Sequence, residues 1–418
     1  MSIQVDFQSA KGLVNVYGQS MLFHCNHYNR YLQQTIEDPD YIDSEKILLQ
    51  SAAETVYLQL KACFAQNPDW KLADKLAMAS EIFQFAGFGI LDFSKFADSG
   101  HSVTVPSSHF GLAMKLNVGH RTKAAEYFDK GFIAGVVEAL KDELGPEFQK
   151  GFTLTQSQSI SLGDDYCRYV VKAGESPAFD WLEKLVPAEL PAFCEIPERK
   201  FTETPVDEAG IVQAVSGLPL VGDEEGLIPA FGLYLTRMYA DYYNKTSFRF
   251  EEELQKQMGS VELATELLVE SGHICAFNTF GGIMKSAEWK ALIQPHLQEK
   301  ADWVHGMVAV TNALGWGIWR VEELVPGEKL VMRIYEDYES LGYLRWFGKA
   351  DHPISYLATG GCAGLMNLIY YGDITTDPVL DKELYVKLFQ EGAYFVGKQT
   401  KCLAMGDEYT EIVVVRNQ

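Results

Sequence analysis

The chain has 418 residues, a length typical of two domains, and its 57 acidic and 35 basic side chains give a formal net charge of −22. Such an acidic chain repels phosphate backbones, which argues against direct nucleic-acid binding. No apolar run reaches the roughly 20 residues of a membrane span, and the first residues lack the pattern of a signal peptide. With seven cysteines and no CxxC pair, these features predict a cytoplasmic protein with reduced thiols and no membrane partner.

Helical and strand periodicities alternate along the chain in two similar series. In the first series, the pattern predicts helices at 44–65, 74–86 and 124–142, and strands at 88–95, 102–107, 153–161 and 166–172. In the second, it predicts helices at 261–285, 298–313 and 356–371, and strands at 316–321, 329–336, 392–403 and 408–415. Helices separated from antiparallel hairpins indicate an α+β fold.

Glycine-rich runs recur in the same order in both series. Gly-Phe-Gly-Ile at 87–90 returns as Gly-Trp-Gly-Ile at 315–318, the run at 131–135 returns at 360–364, and Gly-Asp-Asp-Tyr at 163–166 returns as Gly-Asp-Glu-Tyr at 406–409. This repetition predicts two tandem copies of a helices-plus-antiparallel-sheet domain. We assign the copies to residues 1–172 and 226–418, joined by a Pro-rich linker at 173–225.

The order of these landmarks resembles the 4-vinyl reductase-type domain, a hydrocarbon-binding family. The run at 401–409, Lys-Cys-Leu-Ala-Met-Gly-Asp-Glu-Tyr, carries most of the resemblance. The resemblance implies a small hydrophobic molecule bound between helices and sheet. In many members of the family it also implies a zinc ion, held beside the pocket by Cys and Glu side chains.

The ligand set implied by the resemblance is only partly present. Each copy keeps one of the two cysteines that normally flank the Gly-Asp turn, because Ser159 and Thr410 occupy the other two positions. The candidate ligands are His109, His120 and Cys167 in the first copy, and Glu339, His352 and Cys402 in the second. Such mixed sets hold zinc, with iron as the alternative. The opposing interpretation is that both sites have decayed and the cysteines are small buried hydrophobes.

A further pair of candidate ligands is His24 and His27. If this segment is helical, the two imidazoles share one face and could hold a metal. The alternative is an amphipathic helix that carries two histidines, and the corresponding segment of the second half, near residues 231–233, has no such groups.

Aromatic residues are abundant enough to line pockets for flat apolar ligands. The candidate lining residues are Phe88, Phe110 and Tyr127 in the first copy, and Trp316, Trp319, Trp346 and Tyr356 in the second. We expect a cavity between the 124–142 helix and the 88–107 hairpin, or at the equivalent place in the second copy. The alternative is that these rings fill two cores. Glycines in the runs at 131–135 and 360–364 would let a helix approach the sheet or a ligand closely, and close packing alone explains them equally well.

Three functions are compatible with the sequence. The first is a binding or sensor module for a small hydrophobic or aromatic compound, assisted by a metal. The second is a metal-dependent enzyme acting on a small aromatic or tetrapyrrole-like substrate, and the third is a dimeric assembly or interaction subunit. Exposed edge strands predict a homodimer unless the halves cover each other. No ATPase or helix-turn-helix segment precedes Gln418, so a sensor would need a downstream protein partner.

Overall fold

The first half begins with three strands, followed by helices and then a second set of strands. The computed structural model describes residues 3–96, 101–174, 179, 181–198, 204–392 and 394–417. The strands are β1 (Val5–Gln8), β2 (Leu13–Val16), β3 (Gln19–Cys25), β4 (Gly89–Asp92), β5 (Ser102–Ser108), β6 (Phe152–Gln158) and β7 (Cys167–Ala173). The helices are α1 (Asn26–Glu37), α2 (Ser44–Gln66), α3 (Leu72–Phe85), α4 (His109–Val118) and α5 (Tyr127–Leu144).

Helix α6 (Glu208–Ser216) lies within the predicted linker, and the second half then follows a similar order, with two opening strands where the first half has three and with additional helices. Its strands are β8 (Ile228–Ala230), β9 (Leu233–Tyr239), β10 (Ile318–Val325), β11 (Lys329–Tyr335), β12 (Phe395–Lys401) and β13 (Thr410–Arg416). Its helices are α7 (Ala240–Met258), α8 (Glu262–Cys275), α9 (Gly281–Lys285), α10 (Ala287–Leu292), α11 (Lys300–Ala313), α12 (Tyr338–Trp346), α13 (Tyr356–Met366) and α14 (Lys382–Phe389). Two π-helical segments, Ala276–Phe280 and Asn367–Tyr371, follow α8 and α13. None of the described helices combines the length and apolar composition needed to cross a membrane.

Each half contains one four-stranded antiparallel sheet. The strand orders are β4-β5-β7-β6 and β10-β11-β13-β12, which is the same order in chain sequence. The predicted α+β fold is confirmed, because antiparallel sheets and packed helices occupy separate segments of the chain. The shared strand order is what duplication would produce, and the duplication itself stays a prediction.

A third sheet joins the two halves. Its order is β1-β2-β3-β9-β8, and β3 pairs with β9 in a register centred on Phe23 and Arg237. The register is symmetric with respect to the two inner hairpins, since Phe23 lies five positions after Gly18 and Arg237 lies five positions after Gly232. Each inner hairpin turns through two central residues with positive φ, at 17–18 and at 231–232, which is typical of a type I′ turn. The halves therefore meet through equivalent surfaces, as subunits do in an isologous dimer.

Each N-terminal hairpin also contacts the Gly-aromatic-Gly element of the other half. The N–H of Gly317 donates to the carbonyl of Gly12 at 3.1 Å, and the N–H of Gly89 donates to the carbonyl of Gly226 at 2.9 Å. A Cβ on Gly12 would lie 2.2 Å from the carbonyl oxygen of Gly317, and a Cβ on Gly226 would lie 2.0 Å from that of Gly89. These glycines let the hairpin of one half pack against the sheet of the other.

The glycine-rich helices pack against other helices. A Cβ on Gly131 of α5 would lie 2.6 Å from the Cβ of Ala52 in α2, and a Cβ on Gly360 of α13 would lie 2.2 Å from the carbonyl oxygen of Val269 in α8. Of the two interpretations, close packing is the one observed at these two positions, and it is packing between helices. The close contact is with α2 in the first half and with α8 in the second.

Candidate functional site

A groove lies where α6 crosses the edge of the second-half sheet. It has a volume of about 610 Å³ and is bounded by α6, by residues of β1 and its turn, by α11 and by β10. Its apolar lining consists of Phe7, Ala209, Val212, Ile318 and Trp319, and its larger polar side chains are Glu208, Gln213, Asn312 and Arg320. This volume falls within the range of pockets that bind small molecules.

The wall of the groove is formed by β10, an edge strand of its sheet. Ile318 and Arg320 are two positions apart, so their side chains share one face of the strand, and both line the groove. The side-chain amide of Asn312 forms hydrogen bonds with both main-chain polar groups of Trp319. It accepts from the Trp319 N–H at 2.7 Å and donates to the Trp319 carbonyl at 3.1 Å. These bonds fix the strand edge against α11.

Helix α6 covers the groove and is anchored to α11. The Asp207 side chain caps the helix by accepting from the Gly210 N–H at 3.0 Å. A Glu208 carboxylate oxygen lies 3.2 Å from Nδ1 of His305 in α11, and Ile211 and Val215 are buried beneath the helix. Because we assigned this segment to a linker, we did not predict a groove between it and the second-half sheet. The Asp cap followed by apolar residues four apart was the sequence signal for α6.

The predicted lining residues of the first half lie in a core. The ring of Phe128 has its centroid 4.5 Å from that of Phe88 and 5.1 Å from that of Phe110. All three rings are buried, as is Tyr127 at the start of α5. These rings occupy the space between α5 and the hairpin where we expected a cavity, and the groove lies instead beside β10 in the second half.

The predicted lining residues of the second half are dispersed. Trp316 is buried where the halves meet, and its indole N–H donates to the Phe23 carbonyl at 3.0 Å. Trp346 is half-buried, and the hydroxyl of Tyr356 donates to Glu251 at 2.6 Å. Trp319 lines the groove with only 2% of its surface exposed, so it supplies the wall of the groove more than a stacking surface.

The metal-ligand candidates of the first half have separate environments. His109 is buried with Nε2 3.0 Å from Nδ2 of Asn29, and burial lowers the pKa of its imidazole to about 3. His120 is exposed. The buried Cys167 thiol accepts from the Ile160 N–H at 3.4 Å, and burial raises its pKa, with Glu126 and Asp129 adding to the shift.

The candidates of the second half are also held by other partners. The Glu339 carboxylate accepts two N–H groups at the start of α13, both at 3.0 Å, and its burial beside Asp337 raises its pKa to about 8. His352 lies 2.9 Å from Glu251, and Cys402 is buried with its sulfur 4.0 Å from Oγ of Ser340. Within the described ranges, no three His, Cys, Asp or Glu side chains form a group that could hold a metal ion.

Carboxylate–hydroxyl clusters lie where the resemblance places zinc. In the second half, one Asp337 oxygen accepts from Ser355 at 2.6 Å, from Thr410 at 2.7 Å and from Ser340 at 2.8 Å. In the first half, the Glu126 carboxylate accepts from the Ser159 hydroxyl at 2.8 Å and from the Ser161 N–H at 2.7 Å. Hydroxyls that donate to one carboxylate do not match the thiolate-rich set that zinc prefers. Zinc or iron binding stays a prediction.

The His24 region differs from the predicted helix. His24 lies in β3 and His27 in the first turn of α1, so the two imidazoles do not share a helical face. His24 is buried, its ring centroid is 4.2 Å from that of Tyr28, and its Nδ1 is 3.5 Å from the sulfur of Cys275. Burial lowers the pKa of both histidines. When the turns of the two hairpins, at 17–18 and 231–232, are matched, residue 24 corresponds to residue 238. The counterpart of His24 is therefore Met238, which lies outside the segment 231–233.

The site around His352 makes stability depend on pH. Its hydrogen bond to Glu251, with Asp351 on the other ring nitrogen at 2.5 Å, raises the imidazole pKa from 6.5 to about 9. The folded state binds this proton more tightly than the unfolded chain does. The contribution of His352 to the free energy of unfolding is therefore complete below pH 6.5 and is lost as the pH rises through about 9.

We expect His352→Gln to lower the free energy of unfolding by up to about 1 kcal/mol at low pH, since the group is partly exposed and screened. The difference from the parent protein should vanish well above the raised pKa. Urea unfolding at three pH values spanning 6.5 to 9 and beyond tests this. A destabilisation that is equal at every pH would contradict it.

Comparison with known proteins gives a distant structural likeness. No protein-family model matches the chain, and no curated protein matches it. A solved structure of the phenol-responsive sensory domain of the transcription activator PoxR, with phenol, is similar to part of it. The two share 13% identity with a TM-score of 0.36, over 50% of this chain and 90% of that domain.

Proposed function

We propose that the protein is a binding or sensor module for a small hydrophobic or aromatic compound, which it takes up in the groove beneath α6. The observation that carries this proposal is the groove itself, with a volume of about 610 Å³ and a lining that combines apolar side chains with a few polar groups. Apolar walls supply affinity through burial, whereas the few polar groups select and orient the ligand.

The construction of the groove supports this use. Its walls come from α6, α11 and β10, and the Asn312 bonds to Trp319 fix two of these elements relative to each other. A preformed site binds with a smaller loss of conformational entropy than a site that must assemble. Since α6 lies between the two halves in sequence, a ligand in the groove would contact the segment that connects them.

We expect Ala209→Trp to abolish ligand binding, because the indole would occupy the groove from the α6 side. Ala209 lines the groove, whereas Ala214 is exposed on the same helix and is not part of the lining. Ala214→Trp is therefore the matched control. The measurement is the shift in melting temperature with a panel of phenols, indole and naphthalene derivatives, since a ligand at 100 times its Kd stabilises the folded state by about 2.7 kcal/mol. Absence of any shift in the parent protein, or equal shifts in both variants, would refute the proposal.

Whether a metal assists ligand binding is a separate part of this proposal and has its own test. The clusters around Glu126 and Asp337 have hydroxyl donors where thiolates would be needed, so we assign no step to a metal. Elemental analysis of the purified protein distinguishes the binding module from the metal-dependent enzyme, because stoichiometric iron would favour the enzyme. A homodimer or a downstream protein partner also remains a proposal, which light scattering and co-purification would test.

A further inference from the structure

Arg320 is the cationic side chain of the groove, and the groups it bonds or stacks with are neutral. It is half-buried, lies on the groove face of β10 beside Ile318, and donates to the main-chain carbonyl of Pro197. Its guanidinium carbon lies 5.7 Å from the ring centroid of Tyr335. Within the ranges that the structure describes, no carboxylate forms an ion pair with it.

Neighbouring cations of the same sheet are neutralised. Arg333, the cross-strand partner of Arg320, forms ion pairs with Glu322 at 2.9 Å and with Glu411 at 3.0 Å. Lys329 lies 2.7 Å from Glu323. Glu322, the nearest acid in sequence to Arg320, forms its ion pair with Arg333 and acts on Arg320 only as a nearby charge. The anionic side chain of the groove, Glu208, is held by His305 at 3.2 Å. Among the described residues, Arg320 therefore differs from these charged side chains in having no oppositely charged side chain within ion-pair distance.

A half-buried guanidinium has lost part of its hydration, and a carbonyl satisfies only some of its five N–H donors. A carboxylate fits the planar fork with two parallel hydrogen bonds, which are stronger and more directional than bonds to neutral acceptors. The protein carries a net charge of −22, so its overall field repels anions. An anionic ligand could be held only where a local cation offsets that field.

From this arrangement we infer that the groove selects hydrophobic carboxylic acids, with the apolar body against Val212 and Ile318 and the carboxylate on the Arg320 guanidinium. This inference rests on the proposed function, since it specifies the chemical class of ligand for the same groove. Neutral aromatic compounds of the same shape would bind more weakly, and amines would bind more weakly still.

The test uses three probes that share one ring system: indole-3-acetate, indole-3-acetamide and tryptamine. Calorimetric titration of the full chain should give an affinity for the acetate about tenfold or more above that for the amide, as a charge-assisted hydrogen bond implies. Arg320→Gln should remove this preference by weakening acetate binding much more than amide binding, and Arg320→Lys should restore part of it. The matched control is Arg333→Gln, which removes a charge one strand away and should keep the preference.

Each result decides between specific outcomes. If acetate and amide bind the parent protein equally, or if Arg320→Gln retains the preference, the inference is wrong while the groove as a binding site stands. If Arg333→Gln removes the preference as fully as Arg320→Gln, the charge of the sheet and not Arg320 selects the ligand, which also overturns the inference. If Ala209→Trp leaves binding of all three probes intact, the groove is not the site and the proposed function fails as well.

Discussion

Replacing Glu54 by glutamine is expected to lower the free energy of unfolding by about 3–5 kcal/mol, because the change leaves a buried ammonium group without its counter-charge. Glu54 in α2 is 1% exposed and Lys245 in α7 is fully buried. The Lys245 ammonium donates to one Glu54 oxygen, and Arg249 donates to the other at 2.6 Å. Burial lowers the pKa of Lys245, so the folded state tolerates this cation only beside an anion. Urea unfolding monitored by circular dichroism measures the loss.

The double variant Glu54→Gln/Lys245→Met is the control for this prediction. Removing both charges takes away the desolvation cost together with the attraction, so the double variant should be more stable than Glu54→Gln alone. The double-mutant cycle then gives the coupling energy of the pair. A cost below about 1 kcal/mol for Glu54→Gln, or strict additivity of the two changes, would contradict the picture of a coupled buried pair.

This ion pair also joins the two halves of the chain. Helix α2 comes from the first half and α7 from the second, and Lys245 lies 3.3 Å from the ring centroid of Trp346 in α12. We predicted Trp346 as a ligand-binding residue, and the structure places a cation of the protein itself on its indole face. An aromatic ring that satisfies a buried ammonium through its π face is not free to stack on a ligand from that side.

Local patterns were sufficient to predict much of the architecture. The apolar spacing that predicts the helix at 44–65 corresponds to α2 at Ser44–Gln66, and the strands at 102–107 and 329–336 correspond to β5 and β11. Such elements are specified by residues close in sequence, because a strand or a long helix repeats one periodicity over its whole length. Gly163 and Gly406 end equivalent turns, with φ of 108° and 101°, which only glycine adopts readily.

The candidate site could not be predicted in the same way. Its lining brings together Phe7, Val212 and Ile318, and no spacing in the sequence shows that these three segments meet. Similarly, His24 contacts Cys275 across 251 positions. The pairing of β3 with β9 also has no local signal, because each strand carries side chains that would fit several partners. Long-range packing selects the partner, and short periodic segments do not encode that choice.

Replacing Trp316 by alanine is expected to cost about 3–5 kcal/mol, the range for removing a large buried aromatic side chain. The indole is 1% exposed, and its ring centroid lies 4.4 Å from that of His24 and 5.9 Å from that of Phe280. Its N–H donates to the Phe23 carbonyl at 3.0 Å. The structure places the ring against β3 of the first half, so we expect both halves to lose stability together.

The matched variant is Trp316→Phe, which keeps an aromatic ring in the space but cannot donate to the Phe23 carbonyl. It should cost less than the alanine variant, by an amount set by the lost hydrogen bond and the smaller ring, about 1–3 kcal/mol in total. Hydrogen exchange of the folded protein, read separately for peptides from α1 and from α13, shows which half opens. Because Trp316 packs on β3, amides of both helices should exchange faster in Trp316→Ala. Faster exchange confined to α13 would show that the indole stabilises its own half alone, and that the contact across β3 contributes little.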